Sequence, residues 1–330
     1  MAELYPIKFE TVLKEKIWGG NALVSRYNKK PSESENIGES WEISAVADNQ
    51  SVISNGFLAG NNIEEIIEVY MGDITGDAIF EKFGNEFPLL IKFIEAREDL
   101  SIQVHPGNDL ARKRHNAYGK TEMWYILESE KGSKIFTGFR DGVTKEAYVA
   151  SLRDGTMAGL LNVEHPEAGD TFFTPAGRIH AIGAGTVLVE VQQTSDITYR
   201  IFDWNRKNTG KEKRELHTDL ALDAIDFNQT GKNKIRKENT LNQTENLVSC
   251  EFFNTNLLRF NKPLNKEYYS IDSFVVYICT EGEFQICWDG EEETVLKGET
   301  VLLPAMIKEL VLKPKEEAQL LEIFIDTREV

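Results

Sequence analysis

The feature that most constrains this chain is a series of short apolar runs that end early. They include "ESWEISAV", "FPLLIKFIEA", "LSIQVHP", "TEMWYILE", "GTVLVEVQQ", "ITYRIFDW", "FVVYICTEG" and "EFQICWDG". Each is rich in β-branched or aromatic residues and is closed by Gly, Pro, Asp or Asn, the pattern of strands between turns. Many short strands with few helices build a sandwich or a barrel. Two segments depart from that pattern. In residues 61–84, Ile63, Ile66, Ile67 and Tyr70 fall on one helical face. Asn62 stands at the N-cap with Glu65 three residues on, a capping-box spacing. Residues 141–162 also read as helical, with Val149, Leu152 and Met157 turned inward.

One frame occurs twice. "GDTFFTPAGRIH" and "GETVLLPAMIKE" both read Gly, acid, Thr, a β run, then Pro-Ala, with Pro175 and Pro304 in matching places. Each copy closes a β-rich unit, which indicates a repeated fold. The polar stretch 226–247 reads as the connection between the two units. Only the first copy continues into Gly-x-x-His, so an ion held by the first has no expected counterpart in the second.

The chain has 330 residues, room for about two domains. Its net charge of −17 repels nucleic acid and anionic membranes, so neither is an expected partner. A phosphate site would need a local cluster of cations and backbone N–H groups. Three cysteines without a CxxC pair read as reduced thiols of a cytosolic protein. The N-terminal "MAELYPIKFETVLKEKIWGG" has no apolar h-region and is not read as a signal peptide. Runs such as "SFVVYIC" are too short to span a bilayer.

Chemistry concentrates in "SIQVHPGNDLARKRHNAYGKTEMWYIL". On a strand, Gln103 and His105 share a face with Ser101, and Lys120 and Glu122 share one with Trp124. His180 lies in the Gly-rich "PAGRIHAIGAG". Two imidazoles, a carboxylate and an amide oxygen suit a borderline divalent ion such as zinc, with positions left open. A polar-faced surface strand would show the same spacing, and spacing alone does not separate the two. His115, His165 and His217 have polar flanks and no companions, and read as structural.

Gly169-x5-Pro175-x-Gly177-x2-His180 resembles the second half of the cupin metal motif, with Ala184 where that motif usually ends in Asn. The first half, usually His-x-His, reads Gln103-Val104-His105. With "GKTEMWYIL", "SDITYRIFDW", "KEKIWGG" and "GESWEIS", the chain from about residue 5 to 325 resembles the type I mannose-6-phosphate isomerases in their short bacterial form. The resemblance implies a mainly β fold of two cupin-like jelly-roll β-barrels or sandwiches with a small helical portion. A metal-binding catalytic unit would span 1–235, with helices inserted at about 61–84 and 141–162. A degenerate cupin-like unit without a metal site would span 236–330. The implied activity is a zinc-dependent aldose–ketose isomerisation of D-mannose 6-phosphate and D-fructose 6-phosphate through an enediol(ate). One Zn2+ per chain, a sugar phosphate as the partner, a cytoplasmic setting and a monomer or homodimer go with it.

By motif, the resemblance makes Gln103, His105, Glu122 and His180 the zinc ligands. It makes Arg200, Lys120 and Glu190 catalytic, and puts Lys92 and Ser101 near the substrate phosphate. Longer members read His-Lys-Pro-Glu where this chain has Gly119-Lys120-Thr121-Glu122. The role of that His does not transfer, and the proton-transfer base is left open. Simpler readings exist for the added residues. Lys92 can snorkel from a strand edge, Lys120 can be a loop charge, and Glu190 and Arg200 can be a cross-strand ion pair. Residues 205–215 read as a solvated basic loop, and Trp124 and Trp204 as core. An iron oxygenase on the same scaffold would need a more His-rich ligand set. A non-catalytic sugar-phosphate binder would have no need of an open metal position.

Overall fold

The structure, a computed structural model, describes residues 4–206, 214–231 and 233–327. Its strands form four antiparallel sheets. A seven-stranded sheet runs in the order Lys234–Ile235, Thr171–Thr174, Glu122–Ser129, Thr186–Gln193, Leu89–Ala96, Ile37–Ile43, Val12–Gly20. A five-stranded sheet runs Tyr199–Phe202, Ile102–Val104, His180–Ile182, Ile135–Phe139, Leu161–Glu164. Six- and four-stranded sheets are drawn from residue 243 onward, with one addition: Ile7–Lys8 pairs with Thr300–Leu303. The fold is therefore mainly β and cupin-like, as the sequence implies. No helix among the described residues is long and apolar enough to cross a membrane.

Leu89–Ala96 and Thr186–Gln193 are buried along their whole length because the seven-stranded sheet is covered on both faces. On one face Ile91, Phe93, Val189 and Met123 join a core with Val276, Ile278, Leu321 and Ile323 of the six-stranded sheet. On the other, Ile94, Trp124, Ile126, Phe172 and Leu188 pack against Ile135 and Ile182 of the five-stranded sheet. Each such large side chain contributes roughly 2–3 kcal/mol on burial. That second apolar cluster occupies only part of the space between the two sheets. The remainder holds the polar residues described below.

The segment 61–84 is three short helices, Ile63–Tyr70, Gly72–Thr75 and Asp77–Phe83, rather than one. Met71 at φ +47 and Gly76 at φ +93 break it. The capping box forms: Glu65 N–H donates to Asn62 Oδ1 at 3.0 Å, and Asn62 N–H to Glu65 Oε2 at 2.8 Å. Ile63, Ile66 and Ile67 are buried, whereas Tyr70 is half-buried. The last helix has no local cap. The carboxylate of distant Asp272 takes the N–H groups of Asp77 and Ala78 instead, at 3.0 and 2.9 Å. In 141–162 the helix is Lys145–Asp154, followed by a 3-10 turn at Met157–Leu160. Tyr148 and Met157 are fully buried there, while Val149 and Leu152 are only half-buried. Three helices were not expected from the sequence: Ala22–Arg26, Asn108–His115 and Thr218–Ala224. Asn108–His115, "NDLARKRH", buries only Ala111 and so carries no apolar stripe to reveal it. The polar stretch 226–247 is more than a connection, since it supplies the edge strand Lys234–Ile235 and the start of Gln243–Ser249.

The repeated frame is a repeated backbone. Gly169 and Gly298 have φ of +89 and +86, and each turn feeds a strand, Thr171–Thr174 or Thr300–Leu303. A Cβ on Gly298 would sit 2.2 Å from the carbonyl oxygen of Tyr27, a backbone atom that cannot step aside cheaply. Gly290 has the same φ of +86 with nothing within 4 Å of its Cβ position. Both G290A and G298A carry the cost of a left-handed alanine, and only G298A adds the clash. In urea unfolding, G298A is expected to lose at least roughly 2 kcal/mol more than G290A. Equal losses would show that the approach to Tyr27 is unimportant.

Candidate metal centre and adjoining cavity

Sheet register assembles the site. His180 stands opposite Gln103, and Arg200 stands opposite Gln103 on its other side. Arg200, Gln103 and His180 therefore form one row on the face of the five-stranded sheet. Glu122 comes from the facing sheet, as the first residue of Glu122–Ser129. His105 follows Ile102–Val104 directly, and its carbonyl accepts the N–H of Gly177 at 2.9 Å. Gly177 has φ +87, a conformation glycine adopts without strain, and this turn delivers His180 to the row.

His105, Glu122 and His180 are buried, with ligand atoms all within 4.8 Å of one another. Nε2 of His105 lies 3.4 Å from Glu122 Oε2, and Nε2 of His180 lies 3.2 Å from Oε1. The Gln103 side-chain amide is 3.3 Å from His180 Nε2. The Nδ1 atoms face backbone carbonyls, His105 that of Ile197 and His180 that of Arg178, both at 2.8 Å. Only an N–H can serve a carbonyl, so each ring carries its proton on Nδ1 and aims an Nε2 lone pair at the carboxylate. Burial pulls His105 below its ordinary value and His180 down to about 3, so both rings are neutral. Burial pushes Glu122 up, but the adjacent Lys120 charge, the largest opposing cause, helps bring the carboxylate well below its ordinary value. His105 Nε2 and Glu122 Oε1 have no hydrogen-bond partner. Lone pairs converging on a buried anion without a proton between them are costly unless a cation joins them. His105, Glu122 and His180 can hold a metal ion, and the donor chemistry suits a divalent one.

A cavity of about 240 Å³ adjoins this group. Its wall includes Lys92, Ser101, Gln103, Lys120, Glu190 and Arg200, so all the sequence candidates lie in or beside one space. Lys120 pairs with Glu122 and reaches Glu190 Oε1 at 3.7 Å. Lys92 Nζ meets the same Oε1 at 3.2 Å, and Trp124 Nε1–H donates to Glu190 Oε2 at 2.9 Å. Glu190 thus pairs with Lys92, and no ion pair joins it to Arg200 among the described residues. Nor does Lys92 snorkel from an edge. Its strand has neighbours on both sides, and its ammonium is buried. Lys120 is likewise buried and paired, not a solvated loop charge. Arg200 gives Nη1–H to the Glu215 carbonyl at 2.8 Å and keeps a buried Nε without a partner.

The model of the type I phosphomannose isomerase catalytic domain matches residues 7–143. The chain is 32% identical over 314 residues to the mannose-6-phosphate isomerase ManA of Bacillus subtilis, covering 93% of this chain and 96% of the relative. It is 32% identical over 315 residues to the mannose-6-phosphate isomerase of Streptococcus mutans, covering 93% and 94%. This chain belongs to the type I mannose-6-phosphate isomerase family. It is an enzyme of that family with the family's architecture. The crystal structure of the Bacillus subtilis mannose 6-phosphate isomerase superposes with a TM-score of 0.85 at 29% identity, covering 97% of this chain and 99% of that one.

The remaining sequence readings sort as follows. Trp124 is fully buried as expected. Trp204 is half-buried, packs on Phe136 and gives its N–H to the Leu100 carbonyl at 2.6 Å. His115 bonds the Tyr199 hydroxyl at 2.7 Å and His165 the Ser133 carbonyl at 3.0 Å, both structural. Of the basic stretch 205–215, residues 207–213 lie outside the described residues. Its described flank Arg214 is not solvated but paired to Asp203 at 2.5 Å. The sequence reading left the cavity residues Lys16, Glu39 and Trp41 without roles. They sit within "KEKIWGG" and "GESWEIS", and what was missing was the register that puts Trp41 opposite Lys92.

Glu39 is buried, with Lys16 Nζ at 3.1 Å from Oε1 and Trp41 Nε1–H donating to Oε2 at 2.7 Å. Burial raises its pKa, but Lys92 and Lys16 outweigh that and bring it down to about 2 from the ordinary 4.5. A carboxyl depressed in the folded state adds stability above its unfolded pKa and loses it as pH falls through the folded one. The stability advantage of wild type over E39Q should therefore shrink by on the order of 3 kcal/mol between about pH 6 and pH 2. Denaturant titrations of both proteins across that window check it, and a constant difference would contradict the assignment.

Proposed function

We propose that this protein interconverts D-mannose 6-phosphate and D-fructose 6-phosphate as a zinc-dependent aldose–ketose isomerase. The observation that carries this reading is the buried His105–Glu122–His180 group beside a cavity walled by Lys92, Ser101, Lys120, Glu190 and Arg200. The names of the relatives at 32% identity over nearly the whole chain support the same substrate pair. His105, Glu122, His180 and Gln103 would hold the ion, with Gln103 turning its amide oxygen inward. When bound, zinc would supply Lewis-acid polarisation of sugar oxygens.

The chain's own residues account for the rest. In the forward direction the C2 proton leaves, a C1–C2 double bond forms as O1 takes up a proton, and a proton returns to C1 as O2 gives up its own and becomes the carbonyl. Negative charge builds on sugar oxygen in the enediol(ate). Arg200 lines the cavity, would face that charge and cannot lose its own proton at working pH. Glu190 and Lys120 are adjacent, at 3.7 Å, and one of them moves the proton. Lys92 and Ser101 take the phosphate end, and that remote binding orients the reacting carbons.

We also place the catalytic unit in residues 1–235 and a degenerate cupin-like unit in 236–330. The sheets drawn from residue 243 onward support this division.

The test is turnover of mannose 6-phosphate by purified protein before chelation, after it, and after zinc is restored. Loss and recovery of activity are expected. Zinc-loaded protein that binds the sugar phosphate without converting it would replace the isomerase with a binding protein. R200A should lower kcat by roughly 100-fold or more while zinc content stays full. An R200A enzyme near wild-type kcat would remove Arg200 from the chemistry.

A further inference from the structure

Arg200 sits on Tyr199–Phe202, the edge strand of the five-stranded sheet. Its inner side pairs with Ile102–Val104, and no strand among the described residues lies on its outer side. An edge strand carries backbone N–H and C=O groups with no ladder to join, and such strands shift easily. At Arg200 both groups are taken by one residue. The backbone N–H of His217 donates to the Arg200 carbonyl at 2.7 Å. The backbone N–H of Arg200 donates to His217 Nδ1 at 3.1 Å. His217 thus closes the edge as a strand partner would, with a ring nitrogen in place of a carbonyl.

The same short segment reaches the side chain. The carbonyl of Glu215 accepts Arg200 Nη1–H at 2.8 Å. Arg214 makes two bonds back to Asp203, just past the strand end, at 2.9 and 2.5 Å. On the far side, the His217 carbonyl accepts the N–H of Ala221 at 2.8 Å, tying it to helix Thr218–Ala224. That helix is seated in the outer core through Ala221. With its backbone held at both groups and Nη1 engaged, Arg200 lines the cavity and keeps a buried Nε without a hydrogen-bond partner.

We propose that His217 is a positioning residue for Arg200: its ring nitrogen and backbone N–H fix the edge strand so that the guanidinium stays aimed into the cavity. The proposal rests on the catalytic role given to Arg200 above. An unpaired His217 acceptor would let the strand edge move, and a displacement on the order of 1 Å at a charge-stabilising group costs about 100-fold in rate.

The experiment compares H217A with H217N, whose side-chain oxygen can replace Nδ1 as acceptor. In H217A, kcat for mannose 6-phosphate should fall roughly 10- to 100-fold, with zinc content unchanged. H217N should recover most of the loss, although both variants remove the imidazole. Equal loss in H217A and H217N, or wild-type kcat in both, would overturn the proposal. Crystal structures of the two variants supply a readout that does not depend on activity. Arg200 should be displaced from the cavity wall in H217A and in place in H217N, and an unmoved Arg200 in H217A would overturn the proposal as well. If zinc-loaded wild type fails to isomerise the sugar phosphate, the functional reading falls on its own. The position of Arg200 in H217A still decides whether His217 holds it.

Discussion

The carboxylate of Glu122 is fully enclosed between two sheets, where an isolated anion would be prohibitively unstable. The rest of the site follows from making that charge tolerable. Lys120 neutralises one side of it, and the two imidazoles turn lone pairs, not protons, toward it. The imidazoles face that way because their Nδ1 protons are committed to the carbonyls of Ile197 and Arg178. An arrangement with an anion and two lone pairs at one point is complete only with a cation. Committing backbone carbonyls to the Nδ1 protons leaves the two Nε2 atoms and the carboxylate in a group that can hold a metal ion.

The same electrostatic logic extends along the sheet. From Glu122 the charges alternate through Lys120, Glu190, Lys92, Glu39 and Lys16 to the cavity wall. Each buried charge has an opposite neighbour, which is the condition for keeping such residues in an interior at all. Cross-strand register makes the alternation possible, since Glu190 stands directly opposite Lys92 in neighbouring strands.

Much of this was legible in the chain itself. Strand-forming runs, the Asn62–Glu65 capping box and the Gly169 and Gly298 turns are local matters of propensity and backbone geometry, and they appear where the residues say. The metal-ligating candidates were legible through the Gln103–His105 spacing and the Gly-rich frame around His180. Helix Asn108–His115 was hidden because it buries almost nothing. The cap on Asp77–Phe83 was hidden because Asp272 supplies it from far along the chain.

By itself, the sequence determined which residues can alternate on a strand, where turns fall, and which side chains have chemistry to offer. Those properties depend on neighbours a few positions away. Only the tertiary structure decided that Glu190 pairs with Lys92 and not Arg200, that Glu39 and Trp41 join the cavity, and that His217 closes the strand of Arg200. These outcomes depend on which strands share a sheet and in what register. Register is set by the summed packing of two faces over many residues, a long-range quantity that no local stretch of sequence carries.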